Sequence, residues 1–178
     1  AGEYFKQTGT TGPWGPQATT SQYECRQNFA ILTTDGYRNE SNLPNVGNVD
    51  NTAGPVINRP SGPSYQYTPV FPHRDNWSNT LSDIAMSYWV RDLRPDLDNI
   101  VPSSAANPAF WQHMVTFGIS IGLKGSLDPV ADLPGLTSGA TTWPQPVNLT
   151  LSTIDDMFPA TLNGRGTFVA AGDPDEFS

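Results

Sequence analysis

Three short apolar segments alternate with two helical patterns, and this order constrains the fold more than any other feature of the sequence. The strand-like segments are 28–34, 113–123 and 167–171. Apolar residues recur at helical spacing in 79–92 and 154–162. Strands that alternate with helices form parallel sheets whose faces the helices cover. The sequence therefore predicts an α/β, Rossmann-like fold with a partial parallel sheet, flanking helices and long loop insertions.

The helix at 79–92 carries the clearest signals of a beginning and an end. We predict Asn79 as its N-cap, with Ser82 or Asp83 in the first turn. Pro95 prevents its extension. One apolar stripe along this helix is predicted to face the core, and it comprises Leu81, Ile84, Ala85, Tyr88 and Trp89.

The second helix, 154–162, has two adjacent carboxylates at its start. Ser152 or Thr153 is the predicted N-cap, and Asp155 and Asp156 lie in the first turn. Paired carboxylates occur in acid–base catalysis, but the helix dipole by itself explains their position here.

Long loops separate these elements. Residues 1–24 predict the end of a helix followed by a loop, and 124–151 predict a loop throughout. Six prolines and seven asparagines in 38–78 leave no regular period, so this segment is predicted to be a long insertion, which in compact domains is often functional. Asp173–Glu176 predicts the first turn of a further helix. We interpret 1–178 as a single partial module.

The charge balance excludes two classes of partner. Lys+Arg number 9 against 17 Asp+Glu, for a net charge of −8, which argues against nucleic acid and against docking on anionic lipid. No run of about 18 apolar residues occurs, so no membrane span is predicted. Cys25 is the only cysteine, and we expect either a buried thiol or a disulfide with a partner outside this chain.

Asp35 is the candidate metal-ligating residue. It follows the strand 28–34 on a Thr-Asp-Gly turn, and in parallel sheets ligands bind beyond the carboxyl ends of the strands. A carboxylate in this position suits a hard cation such as Mg²⁺ or Ca²⁺. The alternative is that the Asp35 carboxylate accepts backbone N–H groups of its own turn.

The segment Asn28–Tyr37 resembles the fourth strand and acidic metal-site loop of a von Willebrand factor A-type (vWA-type) domain. Seven ordered stretches with Trp, Pro and Arg at fixed places are similar to the PilY1/PilC family of type IV pilus proteins. These stretches are Cys25–Phe29, Ser78–Ala85, Arg91–Asn99, Pro108–Phe117, Ile154–Phe158, Asn163–Gly166 and Asp173–Glu176.

The resemblance implies a non-catalytic adhesion and pilus-assembly module, located at the pilus tip or on the bacterial cell surface. The implied partners are minor pilins or other pilus-tip components, and an external surface or host receptor. The chain would be the C-terminal half of the vWA-type domain, with its missing strands supplied by another chain. Asp35 is the one ligand of that family's adhesion site found here, since no Asp-x-Ser-x-Ser occurs. Mg²⁺ or Ca²⁺ is thus implied for the complete module, and we expect none to be bound by this chain alone.

Two other functions stay open from the residues. A secreted carbohydrate-binding domain would expose Trp14, Trp77 or Trp143, although packing over the sheet edges also suits these side chains. A structural subunit completed by another chain in a filament would show an exposed apolar edge at Phe29 and Ile31. An enzyme is not predicted, because no Gly-x-Ser-x-Gly elbow occurs and the two histidines share no motif.

Overall fold

The central sheet has three parallel strands, and the computed structural model describes residues 1–15, 22–39 and 43–171 around it. In chain order the elements are a 3-10 turn at Tyr4–Lys6, β1 (Asn28–Thr34), β2 (Val56–Ile57), β3 (Tyr65–Gln66), α1 (Leu81–Trp89), β4 (Met114–Ile121), α2 (Leu133–Ser138), α3 (Ser152–Asp155), α4 (Met157–Asn163) and β5 (Arg165–Ala171). The sheet order is β1-β4-β5, and β2 pairs with β3 separately. The predicted α/β class is confirmed.

Both long connections return over the same face of the sheet. Helices α1 and α4 contact each other and both contact β4, which places them on one face. Right-handed crossovers that advance in one direction along a sheet put their helices on a single side. Phe168 of β5 is buried against Phe158 of α4, whereas Phe29 and Ile31 on the opposite face are 53% and 64% exposed. Within the described residues, that second face has no covering helix.

The first helix begins one residue later than predicted. Thr80, not Asn79, is the N-cap, because the Thr80 hydroxyl and the Asp83 carboxylate form a reciprocal capping box. Asn79 adopts a left-handed backbone conformation with φ of 63°, which asparagine tolerates. Its side-chain oxygen accepts the Gly47 N–H at 2.8 Å instead. Tertiary contact with the 43–78 segment therefore decides where α1 starts.

Two further predictions are corrected. The predicted helix 154–162 is two short helices that meet at Asp156, and the segment 124–151 contains α2. Helix α2 has only 6 residues and includes Pro134 and Gly135, so its sequence lacks a usable helical period. The predicted turn at Asp173–Glu176 lies outside the described residues. No helix of the described ranges is long and apolar enough to span a membrane.

The 43–78 segment is part of the core. Val49, Ile57 and Tyr67 are buried in one cluster with Trp89 and Trp111. The burial expected for Trp89 is confirmed, since its side chain is fully inaccessible, and Trp111 is equally buried. This segment cannot be deleted without removing core side chains, so its function has to be tested by single substitutions.

Three side chains differ in exposure from their sequence-based expectations. Trp14 and Trp143 are only 1% and 5% exposed, so neither is an exposed aromatic, and the packing role is the one observed. Cys25 is exposed, so the expectation of a buried thiol is wrong. Trp77 is half-buried and keeps part of its ring accessible.

Candidate functional site at the carboxyl ends of the strands

Asp35 lies at the carboxyl end of β1, where the sequence places it, with its side chain exposed. The turn around it is closed by Thr34, whose hydroxyl accepts the Gly36 N–H at 3.2 Å and donates to the Gly36 carbonyl at 2.7 Å. No described residue donates a hydrogen bond to the Asp35 carboxylate. The Thr34 hydroxyl, and not the Asp35 carboxylate, thus accepts the backbone N–H of this turn. Metal binding by Asp35 stays a prediction.

The N-terminus of α1 is an anion site that the chain fills with its own carboxylate. Asp156 accepts the N–H of Leu81 at 3.0 Å and the N–H of Ser82 at 3.4 Å. Arg38, on the loop after β1, donates to the same carboxylate at 3.4 Å. The position of Asp156 is therefore explained by its bonds to the N-terminus of α1. The predicted explanation, the dipole of its own helix, is not needed. Burial raises its pKa to about 6, although the two N–H groups and Arg38 act against the rise.

Its neighbour Asp155 has a similar anchoring role. The buried Asp155 carboxylate accepts the backbone N–H groups of Ser126 and Leu127 and the Ser126 hydroxyl, at 3.1, 3.0 and 2.6 Å. These bonds hold the loop after β4 against α3. The two adjacent carboxylates thus serve two different segments, and they do not share a proton as a catalytic pair would.

Asp83 joins the 43–78 segment to α1. One carboxylate oxygen accepts the N–H and hydroxyl of Thr80, and the other accepts the N–H of Val49 at 2.7 Å and of Asp50 at 3.4 Å. Asp83 is fully buried, and desolvation raises the pKa of its carboxyl. The capping pattern Thr80-x-x-Asp83 is visible in the sequence, but its second set of partners, 33 and 34 residues away, is not.

Asp50 is as fully buried as Asp83. Its carboxylate accepts from the Ser82 hydroxyl at 2.9 Å, the Asn163 amide at 3.0 Å and the Asp75 N–H at 3.2 Å. Desolvation, followed by the nearby charges of Asp75 and Asp83, raises its pKa to about 8. The Asn163 amide oxygen is buried and has no partner among the described residues. Rotating that amide by 180° would let its oxygen accept a hydrogen bond from a protonated Asp50 carboxyl. A neutral Asp50 therefore satisfies both groups.

His113 is buried, His73 is half-buried, and both are neutral. Arg165 donates to the His73 ring at 2.8 Å, and burial together with the Arg165 charge lowers the pKa of His73 to about 3. His113 donates from Nδ1 to the Trp111 carbonyl at 2.6 Å and accepts from the Asn107 amide at Nε2. Burial lowers the His113 pKa to about 4. These contacts give His113 a structural role.

Asp50→Asn should flatten the pH dependence of stability. A carboxyl whose folded pKa is raised contributes stability that is complete below its unfolded pKa of about 4. That stability is lost as pH rises through the folded value of about 8. One proton changes the free energy of unfolding by at most about 1.4 kcal/mol per pH unit. Urea unfolding between pH 5 and pH 8 should give a shallower decline for the variant, with a residual slope from Asp75 and Asp156. An unchanged slope would contradict a protonated Asp50 in the folded protein.

The open edge of β1 is bordered by apolar grooves. One, with a volume of about 260 Å³, lies between β1 and α1 and is lined by Ala30, Leu32, Ile84 and Tyr88. A second of about 230 Å³ continues past Leu32 towards Met157. Four of the five residues of the predicted α1 stripe line this groove, and the fifth, Trp89, packs in the core. No three His, Cys, Asp or Glu side chains in the described part of the chain come together as a metal site.

Comparison with known proteins identifies the family of this chain. No family model matches the chain, and no solved structure matches it. It is 36% identical over 204 residues to the type IV pilus biogenesis factor PilY1 of Pseudomonas aeruginosa strain PAO1, which covers 99% of this chain. The PilY1 proteins of strains PAK and UCBPP-PA14 are 36% and 31% identical and cover 99% and 98% of it. The chain spans only 17% of the length of each of these relatives. The chain is a PilY1-like segment and belongs with these type IV pilus biogenesis factors.

Proposed function

We propose that this chain is a non-catalytic part of a type IV pilus protein that acts in adhesion and pilus assembly at the pilus tip or cell surface. The support is similarity over nearly the whole chain to proteins named as pilus biogenesis factors. Its buried acids and histidines are engaged in bonds that hold the chain together, which favours a scaffold over a reaction centre. Minor pilins, other tip components and an external surface or host receptor are the proposed partners.

The uncovered face of the sheet indicates where a partner packs. Phe29, Ile31, Ile121 and Val169 are between 39% and 64% exposed on that face. Parallel sheets almost always have both faces covered, because each strand is apolar on both sides. We therefore propose that the β1 edge and this face pack against another chain or another part of the longer protein, in the place of the missing vWA-type strands.

Asp35 has a place in this proposal. A hard divalent cation takes about six oxygen ligands, and one carboxylate does not supply them. The donors among the described residues therefore do not fit Mg²⁺ or Ca²⁺ by themselves. In the completed module, Asp35 would be one ligand at the carboxyl end of β1, beside those of the added strands.

Packing of a partner on the bare face is tested by introducing a charged side chain there. Ile31→Lys, introduced into the full-length protein in its own bacterium, should reduce surface pili about tenfold or more, since an unpaired buried ammonium costs several kcal/mol. The 178-residue chain carrying the same change should keep its stability, because Ile31 is 64% exposed there. Pili are counted by electron microscopy, and stability is measured by urea unfolding.

Val130→Lys is the matched control, because Val130 is 83% exposed and lies outside the sheet. It should leave piliation unchanged. Normal piliation with Ile31→Lys, at equal protein level, would show that this face is not covered in the assembled protein.

A further inference from the structure

A small pocket lies where the 43–78 segment meets the loop after α2. It has a volume of about 160 Å³ and is lined by Phe71, Arg74, Asn76, Trp77 and Trp143, among others. Sites for drug-sized ligands have volumes of roughly 300–1,000 Å³. This pocket therefore suits one small ring rather than an extended ligand.

The aromatic wall of the pocket is held rigidly. The Trp77 indole donates to the Trp143 carbonyl at 3.1 Å, and the Trp143 indole donates to the Pro72 carbonyl at 2.7 Å. The Trp143 ring packs edge-on against Phe158, with centroids 5.2 Å apart. The Asp75 carboxylate accepts the Trp77 N–H at 2.6 Å and so orients its backbone. A wall that is already ordered loses little conformational entropy when a ligand binds.

The polar groups at the rim are free to bind a ligand. The Arg74 guanidinium carbon lies over the Phe71 ring, 4.6 Å from its centroid. The Asn76 side chain is exposed, and neither it nor the Arg74 guanidinium forms a hydrogen bond to another described residue. Thr142 adds a hydroxyl to the lining. The pocket therefore combines one apolar wall with donors and acceptors at its mouth.

We propose that this pocket binds a pyranose sugar, with its apolar C–H face against Trp77 and its hydroxyls on Asn76, Arg74 and Thr142. A purely apolar ligand would desolvate Arg74 and Asn76 without replacing their bonds to water. A phosphate-bearing ligand would meet Asp75 in the pocket and a chain of net charge −8. A neutral ring with one apolar face and several hydroxyls matches both halves of the lining. This site is separate from the bare sheet face and does not depend on the function proposed for it.

The test is a titration of the 178-residue chain with glucose, galactose, mannose and N-acetylglucosamine, followed by NMR of the tryptophan indole N–H signals. At least one sugar should shift the Trp77 signal saturably, with a dissociation constant in the millimolar range. Asn76→Ala should weaken that binding about fivefold, the effect of losing one hydrogen bond of about 1 kcal/mol. Trp77→Ala should abolish it.

Asn45→Ala is the matched control, because Asn45 is an exposed asparagine of the same segment that does not line the pocket. It should bind sugar as the wild type does. If Trp77→Ala fails to fold, the comparison of Asn76→Ala with Asn45→Ala still tests the proposal. No saturable shift with any of the four sugars would overturn the proposal. Equal binding by Asn76→Ala and Asn45→Ala would overturn it as well.

Discussion

Trp89→Ala should destabilise the fold by about 3–5 kcal/mol, the usual cost of removing a large aromatic side chain from a core. Trp89 is fully buried, and its ring contacts Tyr65, Tyr67 and Trp111 at centroid distances of 5.5 to 6.2 Å. The Arg165 guanidinium also lies over it at 3.8 Å. Truncation would therefore open a cavity and leave the half-buried Arg165 cation without its aromatic partner.

The contact with Trp89 also helps to hold Arg165 in an unfavourable backbone conformation. Its φ is 59°, a left-handed value that a residue with a side chain adopts only when its surroundings hold it there. Urea unfolding followed by circular dichroism measures the effect. Val130→Ala, at an exposed position, should change stability by less than about 0.5 kcal/mol. A loss below about 1 kcal/mol for Trp89→Ala would show that this cluster is not the centre of the core.

Asp83→Ala should destabilise the fold by about 3–5 kcal/mol and release the 43–78 segment. The substitution removes the N-cap partner of Thr80, worth about 1 kcal/mol, and leaves the buried N–H of Val49 without an acceptor, at about 1–3 kcal/mol. The N–H of Asp50 loses the same acceptor. The expected result is a lower midpoint in urea together with faster amide hydrogen exchange at Val49 and Asp50.

Asp98→Ala provides the comparison, because Asp98 is an exposed aspartate outside this network. It should be nearly neutral in stability and in exchange. Equal exchange rates at Val49 in the wild type and in Asp83→Ala would contradict the anchoring role of Asp83, even if the midpoint fell.

The strands were predictable because their signals are local. The runs at 28–34 and 113–123 match β1 and β4 closely, since a buried strand shows itself by apolar and β-branched residues between turns. The third strand begins two residues earlier than predicted, at Arg165. Asp35 at the end of β1 follows from the same local pattern. The similarity to PilY1 proteins rests on ordered motifs that the sequence displays by itself.

The buried acids were not predictable in the same way. Charged residues are ordinarily exposed, so Asp50, Asp83 and Asp156 look in sequence like turn and cap residues. Their burial is possible only because backbone N–H groups from distant segments converge on them, such as Leu81 on Asp156, 75 residues away. A carboxylate out of water needs such donors, and only the tertiary fold brings them together.

The sequence by itself therefore determined the three strands of the sheet and α1, the α/β class and the family, because periodicity and motif order need no distant contact. The tertiary structure decided which groups are buried. It placed the 43–78 segment in the core, closed Trp14 and Trp143 off from solvent, and left one face of the sheet bare. The physical reason is that burial depends on which segments meet in space.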